Sequence, residues 1–141
     1  MSLADAVETA LPAALDDLAE FVAIPSVSAS PDHAQDVQRS ARWVHNQLTA
    51  LGCADARIVS EGGQPAVIAR FPGPPGAPTI CLYAHHDVQP TGDVTLWTSE
   101  NPFAVREANG RLFARGVGDD KAGVRGEGER GDESFGGRRH V

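Results

Sequence analysis

The sequence predicts an α/β fold in which a mixed β-sheet is flanked by helices. Three observations support this prediction: two amphipathic helical stretches before residue 52, a nearly continuous apolar run at residues 79–84, and a hairpin pattern at residues 105–115. A short apolar run without alternation is typical of a strand that is buried on both faces of a sheet. We therefore expect residues 80–84 to form the central strand, with the hairpin near the end of the sheet that carries polar side chains.

The two predicted helices differ in how clearly their boundaries are marked. The first spans residues 3–23, and Ile24-Pro25 ends it because the residue before a proline avoids helical geometry. Pro12 interrupts this stretch, so the helix either starts near it or bends there. The second helix has one apolar stripe, with spacings of 4, 3, 4 and 3, and Gly52 suits the left-handed residue that follows many helices. The stripe consists of Val37, Ala41, Val44, Leu48 and Leu51.

Shorter extended segments follow the second helix. Residues 56–59 and 66–71 flank a Gly62-Gly63 turn, and a stretch rich in proline and glycine separates them from the apolar run. In the predicted hairpin, Asn109-Gly110 supplies the two positive φ values that a type I′ turn requires.

The chain divides into a predicted folded part at residues 1–123 and a predicted tail at residues 124–141. The tail contains five glycines and eight charged residues, but only three large apolar side chains. Such a segment buries too little apolar surface to offset the entropy that it loses on ordering. We therefore expect the tail to be disordered.

Composition excludes several classes of function. Twelve Lys and Arg against 19 Asp and Glu give a formal net charge of −7, whereas a nucleic-acid surface needs clustered positive charge. No apolar run is long enough to span a membrane, and the N-terminus is acidic where a signal peptide is basic. Cys53 and Cys81 form no CxxC pair, so we expect both thiols to be reduced and at least half-buried. We predict a cytoplasmic protein with no nucleic-acid or membrane partner.

The apolar run leads into A-H-H-D-V-Q-P at residues 84–90, which places polar side chains at the carboxyl end of a predicted strand. Ligands of open α/β sheets bind at that end. His85 and Asp87 point to the same side of an extended chain because they are two residues apart. One imidazole nitrogen can then bind a metal ion while the other donates to the carboxylate. Such a pair also arises by chance, so it needs a second motif.

The second motif is R-G-V-G-D-D-K-A-G at residues 115–123, directly after the predicted hairpin. Its adjacent carboxylates, Asp119 and Asp120, lie on a glycine-flanked turn that a metal ion can approach closely. A carboxylate has two oxygens, so Asp119 is suited to bridge two cations. Gly116-x-Gly118 with Lys121 could instead indicate a nucleotide-binding loop, but the Gly-Lys-Ser/Thr ending of a P-loop is missing.

These motifs resemble those of a zinc-dependent metallopeptidase/deacylase family. H-H-D-V-Q-P, W-T-S-E-N-P-F and N-G-R-L-F-A-R-G-V-G-D-D-K-A-G occur here in the order found in dipeptidases, carboxypeptidases, aminoacylases, acetylornithine deacetylases and succinyl-diaminopimelate desuccinylases. The D-V-Q-P and D-D-K forms are most similar to the dipeptidase/carnosinase branch. I-P-S-V-S at residues 24–28 also resembles the usual end of the family's first helix. The resemblance covers residues 1–123 and implies the N-terminal part of a zinc-peptidase catalytic domain.

The resemblance implies roles for three residues. His85 would bind one zinc ion, Asp119 would bridge two zinc ions, and Asp87 would serve catalysis by orienting His85. It also implies a cis bond between Asp119 and Asp120, and small peptides or N-acyl amino acids as substrates. In the family, a glutamate deprotonates a metal-held water that attacks an amide carbonyl. At His86 the family usually has an aromatic residue, so we expect a packing role there.

The chain departs from the family pattern after Gly123. The family continues with a helix and a strand that lead to a Glu-Glu pair, the general base and a zinc ligand, and a later carboxylate and a His complete the metal shell. Glu127-Gly128-Glu129 only faintly resembles that pair, because three residues cannot make the crossover, and His140 lies on the predicted tail. We therefore expect a truncated, incomplete site that is inactive alone. The alternative is a non-catalytic remnant of a truncated or frame-shifted gene.

Overall fold

The computed structural model describes residues 2–125, which form two helices followed by two short antiparallel hairpins. The helices are α1, Leu3–Val22, and α2, Ala34–Ala50. The first hairpin pairs β1, Arg57–Val59, with β2, Ala66–Ile68, and the second pairs β3, Arg106–Ala108, with β4, Arg111–Phe113. A single parallel bridge joins Val27 to Val88. The predicted α/β class, helices combined with β-structure, is confirmed, and between residues 2 and 125 the strands form two small antiparallel pairs.

Helix α1 begins with a capping box, and its buried residues lie in its last turns. Ser2 Oγ accepts from the Asp5 N–H at 3.2 Å, and Asp5 Oδ2 accepts from the Ser2 N–H at 2.8 Å. Pro12 lies inside the helix, so it marks neither the start nor the end. The apolar residues of the last turns, Leu18, Phe21 and Val22, are buried, whereas Val7, Leu11 and Leu15 are exposed.

The core lies where the end of α1 meets α2. The rings of Phe21 and Trp43 stack with their centroids 4.1 Å apart and an angle of 7° between their planes. Ile24 and Val44 complete this cluster. The predicted stripe of α2 is confirmed at its buried members, and Gly52 follows the helix with a φ of 89°. The buried members are Val37, Ala41 and Val44.

The predicted hairpin at residues 105–115 is present, and the two extended segments around the Gly62-Gly63 turn also pair as a hairpin. In the β1–β2 hairpin, Ile58 lies opposite Val67, and the hairpin packs on α2. In the β3–β4 hairpin, Asn109 and Gly110 have φ values of 54° and 69°, so the prediction of a turn with two positive φ values is confirmed.

The prediction that residues 79–84 form a buried central strand is wrong for the part of the chain that the structure describes. This segment pairs with no other strand among residues 2–125, and Ile80, Leu82 and Tyr83 are exposed. A central strand exists only where neighbouring strands pair with both of its edges, and among the described residues no strand lies beside this segment. Cys81 is exposed as well, contrary to our expectation, whereas Cys53 is buried, and both thiols are free.

The predicted tail starts within the described residues and continues beyond them. Val124 packs against the core cluster, and Arg125 forms an ion pair with Asp17 at 3.0 Å. Residues 126–141, with Glu127, Glu129 and His140, lie outside the described residues, so the division at residue 123 stays a prediction. Between residues 2 and 125, no helix is long and apolar enough to cross a membrane.

Candidate metal-binding site

The residues that follow α1 hold the segment that contains His85. The Val88 N–H donates to the Ser26 carbonyl at 2.9 Å, next to the Val27–Val88 bridge. The buried hydroxyls of Ser26 and Ser40 donate to the His86 carbonyl at 2.7 and 2.9 Å. Because both α2 and the α1–α2 connection contact this backbone, the neighbouring side chains have a fixed place relative to the core.

His86 makes polar contacts rather than the packing contacts that we expected. Its Nε2 lies 2.8 Å from the Pro65 carbonyl, and its Nδ1 lies 3.2 Å from Ser40 Oγ. A carbonyl only accepts hydrogen bonds, so Nε2 carries a proton and donates to it. His86 thereby links α2 to the residue that precedes β2.

A tight turn at Val117–Lys121 carries the second motif. The turn follows Gly116, which has a φ of 85°, and the Lys121 N–H donates to the Gly116 carbonyl at 3.1 Å. The bond between Asp119 and Asp120 is cis, as the resemblance implied. A Cβ atom on Gly116 would lie 2.4 Å from Val88 Cγ1, so glycine permits the turn to pack closely on the segment that contains His85.

The structure brings the side chains of His85 and Asp119 together. His85 Nε2 lies 3.0 Å from Asp119 Oδ1. On the other side of the ring, His85 Nδ1 lies 3.1 Å from the Asp87 carbonyl and 3.2 Å from Asp87 Oδ1. The backbone N–H of His85 donates to Asp120 Oδ2 at 3.2 Å. Three carboxylates therefore surround one histidine.

This arrangement controls the charge of His85. Burial alone lowers the pKa of His85, but hydrogen bonds to the Asp87 carbonyl and Asp119, with the negative charges of Asp87 and Asp120, outweigh burial and raise it. With a proton on each nitrogen, the ring donates to both sides. Without the Nε2 proton, the lone pair of Nε2 would face Asp119 Oδ1. A cation between these two atoms would remove that repulsion.

The donor atoms fit a divalent metal ion in part. Imidazole nitrogen and carboxylate oxygen are ordinary zinc ligands at about 2.0–2.2 Å, so two such atoms 3.0 Å apart can reach one ion. The Asp119 side chain is 86% exposed, which leaves this side open to further ligands. Within residues 2–125, however, no group of three or more His, Cys, Asp or Glu side chains is arranged to hold a metal ion. The roles assigned to His85, Asp87 and Asp119 stay predictions.

Several residues that hold this site were not predicted from the sequence. Ser28 Oγ donates to Asp87 Oδ2, and Gln64 Nε2 donates to the Ser28 carbonyl at 3.1 Å. Lys121 is buried and contacts the end of α1. The only signal for Ser26 and Ser28 was the I-P-S-V-S segment, where two small donors alternate on an extended stretch after a helix.

Comparisons with known proteins agree with this arrangement of motifs. Residues 81–127 match the family model "Peptidase family M20/M25/M40". The chain is 32% identical over 108 residues to a cysteinylglycine-S-conjugate dipeptidase of Corynebacterium striatum, covering 77% of this chain and 24% of that protein. It is 32% identical over 120 residues to a beta-Ala-His dipeptidase of Rattus norvegicus, covering 76% of this chain and 24% of that protein.

A solved structure shows the same fold. Human carnosine dipeptidase 1 superposes with a TM-score of 0.79 and 27% identity, over 90% of this chain and 29% of that chain. The chain thus spans about a quarter of the length of the curated relatives that it matches.

Proposed function

The chain resembles part of the dipeptidases of Peptidase family M20/M25/M40, and we propose that it supplies one side of a zinc-dependent site for hydrolysing peptide or amide bonds. In this proposal His85 would hold one zinc ion, Asp119 would be shared between two zinc ions, and Asp87 would orient His85. The observation that supports this most is the 3.0 Å approach of His85 Nε2 to Asp119 Oδ1, from two segments that lie 34 residues apart.

The chain's own residues set the orientation of the histidine ligand. The Asp87 carbonyl accepts from Nδ1 at 3.1 Å, with Asp87 Oδ1 3.2 Å from the same nitrogen, which leaves Nε2 as the nitrogen for the metal ion. Ser28 in turn holds Asp87, and Asp120 holds the backbone of His85. Zinc, when bound, lowers the pKa of a water molecule and polarises the substrate carbonyl. The residues described here prepare the ligand and fix its tautomer.

The proposed substrates are small dipeptides or N-acyl amino acids. Two relatives are named for cysteinylglycine S-conjugates and for beta-Ala-His, which are both small dipeptides. The described residues offer two of the five metal ligands that the family uses, so we propose that this chain alone is inactive. A cytoplasmic location stays a prediction.

Zinc calorimetry on the purified chain tests the proposed site. We expect weak binding at pH 7, and at least tenfold weaker binding after His85→Ala or Asp119→Ala, because each substitution removes a ligand. His45→Ala is the matched control, since its ring contacts the Ala56 carbonyl instead, and it should leave the affinity unchanged.

The same samples, assayed with zinc and a dipeptide, should show no hydrolysis above the uncatalysed rate. Hydrolysis that both a chelator and Asp119→Ala abolish would contradict the proposed inactivity. Equal zinc binding by all four proteins would contradict the proposed site and favour the non-catalytic remnant.

A further inference from the structure

Lys121 is a fully buried lysine that the proposed reaction does not use. It lies two residues after Asp119, and its Nζ donates to the carbonyls of Phe21 at 2.8 Å and Ile24 at 2.7 Å. The same nitrogen lies 4.6 Å from the centroid of the Phe21 ring. A buried lysine is costly unless its charge and its N–H groups find such partners.

One of these contacts lies at the C-terminal end of α1, where the Phe21 carbonyl also accepts from the Ile24 N–H at 3.2 Å. The last carbonyls of a helix have no partners within the helix, and a cation is favourable at that end. Helix α1 has no basic residue in its last turn, and the amine of Lys121 donates to the Phe21 carbonyl from a position 100 residues away along the chain. The contact joins the turn that carries Asp119 to the first helix.

The residues that receive Lys121 continue directly into those that hold the His85 segment. Within residues 21–28, the carbonyls of Phe21 and Ile24 accept from Lys121, and the Ser26 carbonyl accepts from Val88. Both halves of the candidate site are therefore attached to one short stretch of backbone. This shared attachment determines how far apart the two halves lie.

The attachment does not depend on the charge of the amine. Burial, with a smaller contribution from the positive charge of Arg39, lowers the pKa of Lys121 to about 7, although Asp36 and Asp87 oppose this shift. An ammonium group has three N–H donors and a neutral amine has two. Either form can therefore donate to both carbonyls.

We propose that Lys121 is a positioning residue. Its hydrogen bonds attach the turn to residues 21–28 and thereby keep Asp119 and Asp120 next to His85. The consequence of this role for zinc binding rests on the proposed function, whereas the effect of Lys121 on the local geometry does not. Asp120 reports that geometry, because its carboxylate accepts from the His85 N–H.

The variant Lys121→Met tests this role, because it keeps an unbranched side chain only one atom shorter and removes its donors. We expect the His85 amide to exchange its hydrogen at least tenfold faster, measured by NMR relative to the amides of α2, and zinc affinity to fall at least tenfold. Leu48→Ala is the control: it weakens the core cluster from α2 without altering the turn. In that variant the His85 amide and the α2 amides should change together.

A second variant covers the case in which Lys121→Met does not fold. Lys121→Arg keeps donors for both carbonyls, so it should fold. Its guanidinium group is larger than the amine and would displace the turn, so the His85 amide should still exchange faster relative to the α2 amides. If the His85 amide and the α2 amides change their exchange rates by the same factor in the folded Lys121 variants, as we expect for Leu48→Ala, the proposal is overturned. If the unsubstituted chain binds no zinc, the proposed function fails, and the exchange comparison still decides the role of Lys121.

Discussion

Replacing Phe21 by alanine is expected to lower the free energy of unfolding by about 3–5 kcal/mol. Phe21 is fully buried, one face of its ring stacks on Trp43, and the ring also lies next to the Lys121 amine. The substitution removes both ring contacts and leaves a cavity where α1, α2 and the turn at 117–121 meet. Small domains are stable by only about 5–15 kcal/mol, so this loss is a large part of the total.

Urea denaturation followed by circular dichroism measures this change. Leu11→Ala is the matched control, because Leu11 lies on the same helix with its side chain 48% exposed. It should change the free energy of unfolding by no more than about 0.5 kcal/mol. A loss below about 1 kcal/mol for Phe21→Ala would show that the cluster around this ring is not the centre of the core.

Replacing Gly116 by alanine is expected to cost about 2–4 kcal/mol, from a left-handed backbone and from overpacking. The new Cβ would lie 2.4 Å from Val88 Cγ1 at a φ of 85°, and Val88 is itself buried and cannot move aside. The turn and the His85 segment would have to separate. Zinc affinity should therefore fall together with stability.

Gly118→Ala is the matched control within the same turn. A Cβ on Gly118 meets no atom within 4 Å, and its φ is not in the left-handed region. Thermal unfolding of both variants should show a large loss for Gly116→Ala and a change of at most about 1 kcal/mol for Gly118→Ala. Equal losses would contradict the close packing of the turn on Val88.

The parts of the fold that depend on local patterns were predicted well. The period of α2 and the Asn109-Gly110 turn are encoded within a few residues, and the structure contains both. The segment at residues 79–84 was predicted wrongly because its apolar composition says nothing about whether a partner strand lies beside it. The apolar composition indicates residues that suit a buried strand, but a strand forms only where a neighbouring strand pairs with it.

The candidate site shows the same limit. His85, Asp87 and Asp119 stand out in the sequence because the two motifs that contain them resemble those of a metallopeptidase family, and their roles at a metal ion stay predictions. Lys121 and Ser28 were not, because their partners lie about 100 and 59 residues away along the chain. Contacts of that range follow from the packing of α1 against the two motifs, which no local spacing reveals.

X-ray absorption at the zinc edge tests the central claim most directly. On the chain loaded with one equivalent of zinc, we predict one imidazole nitrogen and carboxylate oxygen at about 2.0–2.2 Å, with no sulfur. His85→Ala should remove the imidazole scattering, and Asp119→Ala should retain it but weaken binding. A zinc–sulfur distance of about 2.3 Å, from Cys53 or Cys81, or an imidazole signal that survives in His85→Ala, would contradict the account.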